Sequence, residues 1–353
     1  METDYLIIGC GLAGIAFAET CLQNNKSIMV LENYSQTSST IAAGLYNPVI
    51  LKRFSGLENA QEQLNLLNTF YKAIEKRLNV KVDYQIPILR KFFSIEEQNN
   101  WFAASDKPNL SAFLSLVLNK SKYSGIDSPF DFGEVLQTGY VHTALLLKTY
   151  QSYLSKNNLF RNTSFVYDDL IFESSNVLYN NIKYNNIVFA EGFGMHSNPF
   201  FYNLPLDGTK GELFIIKAFN LNLDVIVNTS VFILPLGNNL FKVGATYNWL
   251  DKTNIPTSEG RKELIDRIKE ILNCDFEIIE HFAGVRPTVK DRKALIGTHH
   301  TYKNLHILNG LGTRGVMLAP TLSKILFDSI EFDKPIDKSI DINRFYRKMN
   351  ISS

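Results

Sequence analysis

The chain has 353 residues, which is more than one small core organises and suits two intertwined domains. Its hydrophobic content of 45% and charged content of 20% are ordinary for a globular enzyme. The formal net charge of +1 at pH 7 excludes a global attraction to nucleic acid or anionic membranes, although it is compatible with a local basic patch.

The three cysteines, Cys10, Cys21 and Cys274, have no metal-ligand spacing and are odd in number. They therefore predict free thiols in a reducing compartment and no metal site. Glu2 and Asp4 stand where a signal peptide needs basic residues, and the apolar run that follows is too short to span a bilayer. We expect a cytoplasmic protein without a membrane segment.

The first 32 residues predict a strand, a glycine turn, a helix and a second strand. Residues 5–8 form a continuous apolar run typical of a parallel strand that is buried on both faces. Gly9, Gly11 and Gly14 allow a tight turn, the approach of a pyrophosphate, and close packing of the following helix. That helix points its N–H groups at a diphosphate. The unit predicts a dinucleotide site.

The second strand, predicted at residues 27–31, ends at Glu32. A carboxylate at this distance from the glycines can accept hydrogen bonds from ribose hydroxyls, and it repels a 2′-phosphate. The next residues, 35–44, are small and polar and predict a loop that offers hydroxyls and backbone donors to a phosphate or flavin.

The rest of the chain alternates between helical, irregular and strand-like patterns. In chain order we predict a helix at 56–78, an irregular segment at 80–132, a helix at 140–159, strands at 164–166 and 186–190, short strands within 211–219, 224–236 and 240–247, a helix at 258–272, a strand at 305–308, a glycine turn at 309–315 and a helix at 316–330. The strand that runs into Gly192 suits the first sheet. The fold class predicted is α/β, a discontinuous Rossmann-type domain with an α+β domain built on an antiparallel sheet.

Three segments of the chain resemble the FAD-dependent D-amino-acid oxidase superfamily, in particular its glycine-oxidase-like members. They are SSTIAAGLYNP at 38–48, AGVRPTVKDRKALIG at 283–297 and NLHILNGLGTRGVMLAP at 304–320, and the tail NRF at 343–345 also fits. The resemblance implies a non-covalent FAD and a flavin domain assembled from separated pieces. Residues 51–132 match no pattern.

The resemblance implies an FAD-binding domain from residues 1–79, 133–203 and 283–353, and a substrate domain from 80–132 and 204–282. The residues assigned to FAD are Gly9, Gly11, Leu12, Ala13 and Gly14 at the pyrophosphate, Glu32 and Asn33 at the ribose, Ser38, Ser39, Ala43, Gly44 and Leu45 along the phosphates and the flavin edge, Val166 at the adenine, Gly192 after its strand, and Leu311, Gly312, Thr313, Arg314, Gly315, Val316 and Met317 around the pyrimidine side of the flavin.

Two arginines are candidate substrate residues. Arg286 stands where the family places the arginine that pairs with a substrate carboxylate, and a guanidinium suits that task because it binds bidentately. A salt bridge from Arg286 to Asp291 or to a helix end is the structural alternative. The glycine-oxidase pattern has its second arginine where this chain has Thr313. Arg314, one place later, instead resembles the oxidoreductase half of a bifunctional tRNA-modifying enzyme.

Two further positions bear on the cofactor. Relatives with covalent flavin carry cysteine where this chain has Thr288, so the resemblance implies non-covalent attachment. Lys242 matches a lysine that helps oxygen to accept electrons in sarcosine oxidase. The alternative for Lys242 is a solvent-facing lysine on an alternating strand.

The favoured function is oxidation of a small amino acid or secondary amine by hydride transfer to flavin N5. No second glycine motif follows a strand as a pyridine-nucleotide site, so oxygen or a quinone is the expected acceptor. The alternative is a tRNA-modifying oxidoreductase, which a basic rim would support. The residues of that rim are Arg286, Lys290, Arg292, Lys293, Lys303 and Arg314. A third hypothesis is that the protein is an NAD-dependent dehydrogenase or a non-catalytic nucleotide-binding protein.

Overall fold

The structure, a computed structural model, describes residues 2–346. The helices found there are α1 (Leu12–Gln23), α2 (Ser38–Ile41), α3 (Ala60–Leu78), α4 (Ile95–Ser105), α5 (Thr143–Lys156), α6 (Ser258–Lys269), α7 (Gly315–Phe332) and α8 (Asn343–Tyr346). The strands are β1 (Glu2–Ile8), β2 (Ile28–Glu32), β3 (Leu45–Tyr46), β4 (Val49–Ile50), β5 (Ser55–Gly56), β6 (Asp83–Tyr84), β7 (Ile88–Lys91), β8 (Phe132–Val135), β9 (Gly139–Val141), β10 (Phe160–Asn162), β11 (Ile171–Phe172), β12 (Val177–Tyr179), β13 (Ile182–Phe189), β14 (Thr209–Lys217), β15 (Ile226–Asn228), β16 (Phe232–Gly237), β17 (Leu240–Gly244), β18 (Glu277–Arg286), β19 (Leu295–Thr298) and β20 (Leu305–Asn309).

The first sheet has a parallel centre. Strands β10, β2, β1, β13 and β20 lie side by side in that order, and all four pairings are parallel. Strands β12, β11 and β19 extend it with antiparallel pairings. Residues 5–7 of β1 are fully buried, which explains why this strand is apolar throughout.

The second large sheet has seven strands in the order β18-β14-β17-β16-β15-β7-β8. Its pairings are antiparallel except for β15 with β7. The mixed α/β class that the sequence predicts is confirmed by this architecture. The division into two domains stays a proposal. The second sheet takes its strands from 88–91, 132–135 and 209–286, so β8 and β18 cross the predicted bounds at 132/133 and 282/283. Residues 347–353 of the predicted flavin domain lie outside the described residues.

Most predicted elements occur with shifted ends. The predicted helix 56–78 begins only at Ala60, since residues 55–56 form β5 instead. The strand predicted at 164–166 is wrong, because the strand beside β2 is Phe160–Asn162. Helix α4, in the segment predicted to be irregular, has Ser94 as its N-cap, and the hydroxyl of Ser94 accepts a hydrogen bond from the amide of Glu97 at 3.1 Å.

Helices α1, α3, α5 and α7 pack together beside the first sheet. The hydroxyls of Thr20 in α1 and Ser323 in α7 lie 3.0 Å apart, and the Tyr71 phenol of α3 donates to the carbonyl of Val316 at 3.0 Å. These contacts fix the start of α7 against α3 and its middle against α1. Among the described helices, none is long and apolar enough to cross a membrane.

A buried ion pair joins three of these helices. The carboxylate of Glu19 is 0% exposed and accepts hydrogen bonds from the Arg77 guanidinium at 2.8 Å and the Tyr150 phenol at 3.0 Å. Replacing Arg77 by Met removes the partner of a buried charge, so we expect the free energy of unfolding to fall by about 3 kcal/mol. Urea unfolding followed by circular dichroism measures the change.

The matched control is Arg267→Met, which breaks an exposed pair with Glu263 within α6. Exposed pairs one helical turn apart contribute about 0.5 kcal/mol, so the midpoint of this variant should stay close to that of the wild type. Equal losses of unfolding free energy in both variants would show that burial does not increase the contribution of the Glu19 pair to stability.

Candidate active site

The first glycine turn follows β1 at the carboxyl edge of the parallel strands. Gly9 has φ +100°, and a Cβ there would lie 2.5 Å from the carbonyl oxygen of Ala190. A Cβ on Gly14 would lie 1.9 Å from the carbonyl oxygen of Gly9. The turn can therefore accommodate no larger residue at either position, and α1 starts directly against the strand end.

Glu32 lies beside this turn in a fixed position. Its carboxylate accepts the backbone N–H of Cys10 at 2.6 Å and that of Tyr34 at 2.6 Å. Both bonds hold the carboxylate at the end of β2, next to the residues that begin α1. A ribose that hydrogen-bonds to this carboxylate would place its diphosphate at the glycine turn.

The second glycine turn, residues 310–315, follows β20 and leads into α7. The Asn309 side-chain amide donates to the carbonyl of Gly192 at 2.9 Å, and its amide oxygen accepts the N–H of Gly310 at 2.7 Å. The ends of β13 and β20 are thereby joined. Both glycine turns open on one cavity of about 800 Å³.

Most of the residues assigned to FAD line this cavity. They are Gly9, Gly11, Leu12, Ala13, Glu32, Asn33, Ser38, Ser39, Ala43, Gly44, Leu45, Gly192, Leu311, Gly312, Thr313, Arg314, Gly315 and Val316. Arg286 lines it as well. Separate stretches of sequence therefore meet at one site, and their individual roles stay predictions.

Four predicted residues lie outside the lining. Gly14 packs against the carbonyl of Gly9, and Met317 is 1% exposed in the core. Val166 is 46% exposed and its N–H donates to the Tyr179 phenol at 3.2 Å, while the neighbouring side chains at 165 and 167 line the cavity. The fourth residue is Lys242.

Lys242 lies behind the segment that precedes β3. Its ammonium donates to the carbonyls of Ile41 and Ala42 at 3.2 and 3.1 Å, and burial lowers its pKa to about 8. It is thus neither a solvent-facing lysine nor a residue that lines the cavity. Its amine supports the backbone beside the cavity, and the predicted role in oxygen activation stays untested.

Arg286 ends β18 with its guanidinium in the cavity wall. The guanidinium lies 4.6 Å from the centre of the Tyr247 ring, and its one protein hydrogen bond within residues 2–346 goes to the carbonyl of Thr246 at 3.2 Å. A Cβ on Gly211 would lie 2.0 Å from Nη2, so glycine is what leaves room for the guanidinium. Burial lowers the pKa of Arg286, as desolvation of a cation must.

The structural alternative for Arg286 does not occur. Asp291, its predicted partner, pairs with Arg344 at 2.9 Å. Arg286 forms no ion pair with any residue that the structure describes. A desolvated guanidinium with most of its N–H groups free is suited to an anionic ligand.

Arg314 occupies the N-cap position of α7 and lines the cavity, as does its exposed neighbour Thr313. Burial lowers the pKa of the Arg314 guanidinium. The N–H of Gly312 donates to the carbonyl of Pro287 at 3.0 Å, which joins the turn before Arg314 to the segment after Arg286. The two arginines therefore belong to one part of the cavity.

Among the lining residues that the sequence analysis did not assign to the site, three carry a charge or contact Arg286. Tyr247 stacks on Arg286, Lys52 lies between β4 and β5, and Glu191 follows β13. Burial raises the pKa of Glu191, whose carboxylate accepts hydrogen bonds from the Tyr167 phenol and the Asn198 amide. Only Glu191 had a signal, since it precedes a glycine at a predicted strand end.

The residues present fit FAD. The first turn and Glu32 suit the diphosphate and ribose, and the start of α7 offers N–H groups and a positive helix end to the flavin ring. Gly44 has φ +73°, and a Cβ there would lie 1.9 Å from the carbonyl oxygen of Val141. The close approach of the backbone at residue 44 to β9 therefore requires glycine. Thr288 offers no thiol for a covalent link, and non-covalent binding stays a prediction.

The fold and the cavity are those of an α/β protein whose two glycine turns open on a site that suits a dinucleotide. The chain matches the family described as "DAO: FAD dependent oxidoreductase" over residues 4–329. It therefore belongs to this family, and FAD is its cofactor.

The chain is similar to curated proteins of two kinds. One is the tRNA 5-methylaminomethyl-2-thiouridine biosynthesis bifunctional protein MnmC of Marinobacter nauticus, 26% identical over 141 residues, which are 36% of this chain and 22% of that protein. The other is the glycine oxidase of Bacillus subtilis, 27% identical over 144 residues, or 39% of each chain. The matches thus span well under half the length of these relatives.

The solved structure of glycine oxidase from Bacillus cereus has the same fold. It superposes with a TM-score of 0.75 over 94% of this chain and 96% of that one, at 18% sequence identity. At this identity the likeness shows the fold and leaves the substrate open.

The close contact at Gly14 yields a test of the first turn. Gly14→Ala would force α1 away from β1, because the new Cβ would meet a backbone oxygen at 1.9 Å. Such overpacking costs about 1–3 kcal/mol, so FAD affinity should fall about tenfold or more. Titration of the apoprotein with FAD, followed by the quenching of flavin fluorescence, measures it.

Gly194→Ala is the control, because Gly194 also lines the cavity but its Cβ would meet no atom nearer than 3.5 Å. This variant should bind FAD like the wild type. If Gly14→Ala bound equally well, close packing of helix on strand would not be required for the cofactor.

Proposed function

We propose that the protein oxidises the carbon–nitrogen bond of a small amino acid or secondary amine that carries a carboxylate. The observation that carries the proposal is Arg286, a desolvated guanidinium in the wall of the flavin cavity that has no ion-pair partner in the described chain. A substrate carboxylate supplies that partner bidentately. The family supplies the cofactor, and the glycine oxidase likeness supports the substrate class.

The residues of the chain position the substrate. Arg286 fixes the carboxylate, and its stack on Tyr247 and the space above Gly211 hold the guanidinium in one orientation. Bound FAD would supply the acceptor for a hydride from the carbon next to the substrate nitrogen. The start of α7 would offer its N–H groups and helix dipole to negative charge nearby.

The reaction balances without a protein base. In the neutral form of the amine, the hydrogen leaves the carbon as hydride with the electron pair of the C–H bond, the nitrogen lone pair forms the C=N bond, and water hydrolyses the resulting iminium to a carbonyl compound and an amine. The described lining of the cavity contains no histidine, and its carboxylates, Glu32 and Glu191, are engaged in hydrogen bonds. Orientation and electrostatics are therefore the contribution expected of the protein.

Anaerobic mixing of the FAD-loaded protein with glycine, sarcosine and related amines tests the proposal. We expect bleaching of the oxidised flavin by at least one carboxylated amine. Arg286→Lys keeps the charge but loses the bidentate fork, so the half-saturating concentration should rise about tenfold or more. FAD content should not change.

Arg292→Lys is the control, since Arg292 stacks on Trp249 at 5.7 Å and does not line the cavity. Saturation should be unaffected in this variant. Absence of bleaching by every carboxylated amine would refute the proposed activity. An unchanged half-saturating concentration in Arg286→Lys would refute the role of the arginine.

A second candidate function is oxidation of a modified uridine side chain in tRNA. It is favoured by the position of Arg314 in the cavity and by the likeness to the bifunctional tRNA protein. In the predicted basic rim, the charge of Lys293 is neutralised by Glu58 at 3.0 Å, and the ammonium of Lys303 is bound to the carbonyl of His300 at 3.0 Å. We therefore rank this candidate second.

Binding of tRNA that carries an amine-modified wobble uridine distinguishes the two functions. For the second candidate, the logarithm of the binding constant should fall steeply with the logarithm of salt, by about 0.7–0.9 for each phosphate contact. Under the first candidate, we expect no binding above that of unmodified tRNA. Bleaching of the flavin by the modified tRNA alone would reverse our ranking.

Oxygen or a quinone stays the predicted electron acceptor, and a cytoplasmic location stays a prediction from the sequence. The acceptor can be identified by comparing peroxide formation in air with reduction of a soluble quinone under argon.

A further inference from the structure

The charged residues of the cavity wall are divided by sign. Among the described residues, the acidic ones in the lining are Glu32 and Glu191, and both lie at the carboxyl ends of β2 and β13. The basic ones are Lys52, Arg286 and Arg314. Both carboxylates are held by hydrogen bonds from protein groups, and neither pairs with one of these cations.

Two of these cations stand on adjoining segments of the chain. The N–H of Gly312 bonds to the carbonyl of Pro287 at 3.0 Å, which joins the segments of Arg314 and Arg286. Lys52, in the turn between β4 and β5, lines the same cavity. The cavity wall thus carries three positive charges, two of them on neighbouring segments.

None of the three forms an ion pair within residues 2–346. Arg286 makes a single hydrogen bond to protein, and the side chains of Arg314 and Lys52 make none in the described chain. Desolvation lowers the pKa of both guanidinium groups. One substrate carboxylate would neutralise only one of these two desolvated cations.

The polar residues nearby offer space and hydrogen bonds for a substrate larger than glycine. The turn between β15 and β16 contributes Asn228, Thr229 and Ser230 to the lining, and Asn47 faces the cavity from before β4. The oxidised flavin ring is uncharged, so it leaves Arg314 without a counterion before the reaction.

We propose that the substrate is an amine with two anionic groups, a carboxylate bound by Arg286 and a second carboxylate or phosphate bound by Arg314, with Lys52 attracting it at the mouth. This inference rests on the proposed function only in taking the substrate to be an amine. The binding of two anionic groups can be measured without turnover. A second charge-assisted hydrogen-bond set would strengthen binding about tenfold or more.

The test uses the FAD-loaded protein and three ligands of similar length: propionate with one charge, malonate with two carboxylates, and phosphonoacetate with a carboxylate and a phosphonate. Perturbation of the flavin absorbance reports binding. We expect both dianions to bind about tenfold or more tighter than propionate. Tighter binding of malonate identifies a dicarboxylate as the source, and tighter binding of phosphonoacetate identifies a phosphate.

Arg314→Met should abolish the preference for dianions and weaken propionate binding much less; all affinities are compared on protein saturated with FAD, because Arg314 is also among the residues assigned to the cofactor. Lys52→Met, an exposed change that should not affect folding, should weaken the dianions several-fold at low salt. Arg53→Met is the control, because Arg53 is exposed in the same turn but does not line the cavity.

Equal affinity for propionate and malonate would overturn the inference, as would equal weakening of both ligands in Arg314→Met. If Arg314→Met changed the flavin spectrum but no ligand affinity, Arg314 would be assigned to the cofactor, and the inference would also be overturned. If the preference holds but no amine bleaches the flavin, the proposed function fails and the dianion site stands. If amines bleach the flavin without a preference, only the dianion site fails.

Discussion

The site depends on three parallel strands that end at the same edge of one sheet. Strand β13 lies between β1 and β20, and both pairings are parallel, so their carboxyl ends meet although they are far apart in sequence. Each end continues into a backbone that glycine permits, at Gly9, Gly192 and Gly310, all with positive φ. The Asn309 side chain bonds to the carbonyl of Gly192 and fixes two of these ends to each other. Two helix N-termini can face one ligand only because of this arrangement.

Sequence reasoning found this part of the molecule because its signals are local. A buried parallel strand is apolar throughout, and positive φ next to a helix start selects glycine, so β1, α1 and the turn before α7 are written in neighbouring residues. The carboxylate of Glu32 was predictable for the same reason, since its distance along the chain from the turn is set by one helix and one strand.

The remaining parts of the site are set by long-range contacts. Tyr247 reaches Arg286 across 39 positions of sequence because β17 and β18 both flank β14, and no local pattern encodes that pairing. The strand beside β2 was predicted at 164–166, a few residues after the true position of β10. Only one of the three residues of β10 is buried, so its sequence has no clear hydrophobic period. Lys242 looked solvent-facing on an alternating strand, but the segment at 41–42 covers that face of the sheet.

Strand β14 shows how one sequence serves both faces of the second sheet. Because side chains alternate, Gly211 and Leu213 face the cavity, whereas Lys210 and Glu212 point the other way and are buried. Lys210 pairs with Asp251 and donates to Thr253 at 3.3 Å, and Glu212 accepts the N–H of Thr257 at 3.0 Å. These bonds anchor residues 251–257, the end of the loop that begins near Tyr247. The charged residues of β14 thus hold the loop that bears the Tyr247 ring. Gly211 of the same strand gives the Arg286 guanidinium room beneath that ring. A strand with uncharged residues at 210 and 212 would lose the anchored loop, and one with a larger residue at 211 would lose the room for the guanidinium.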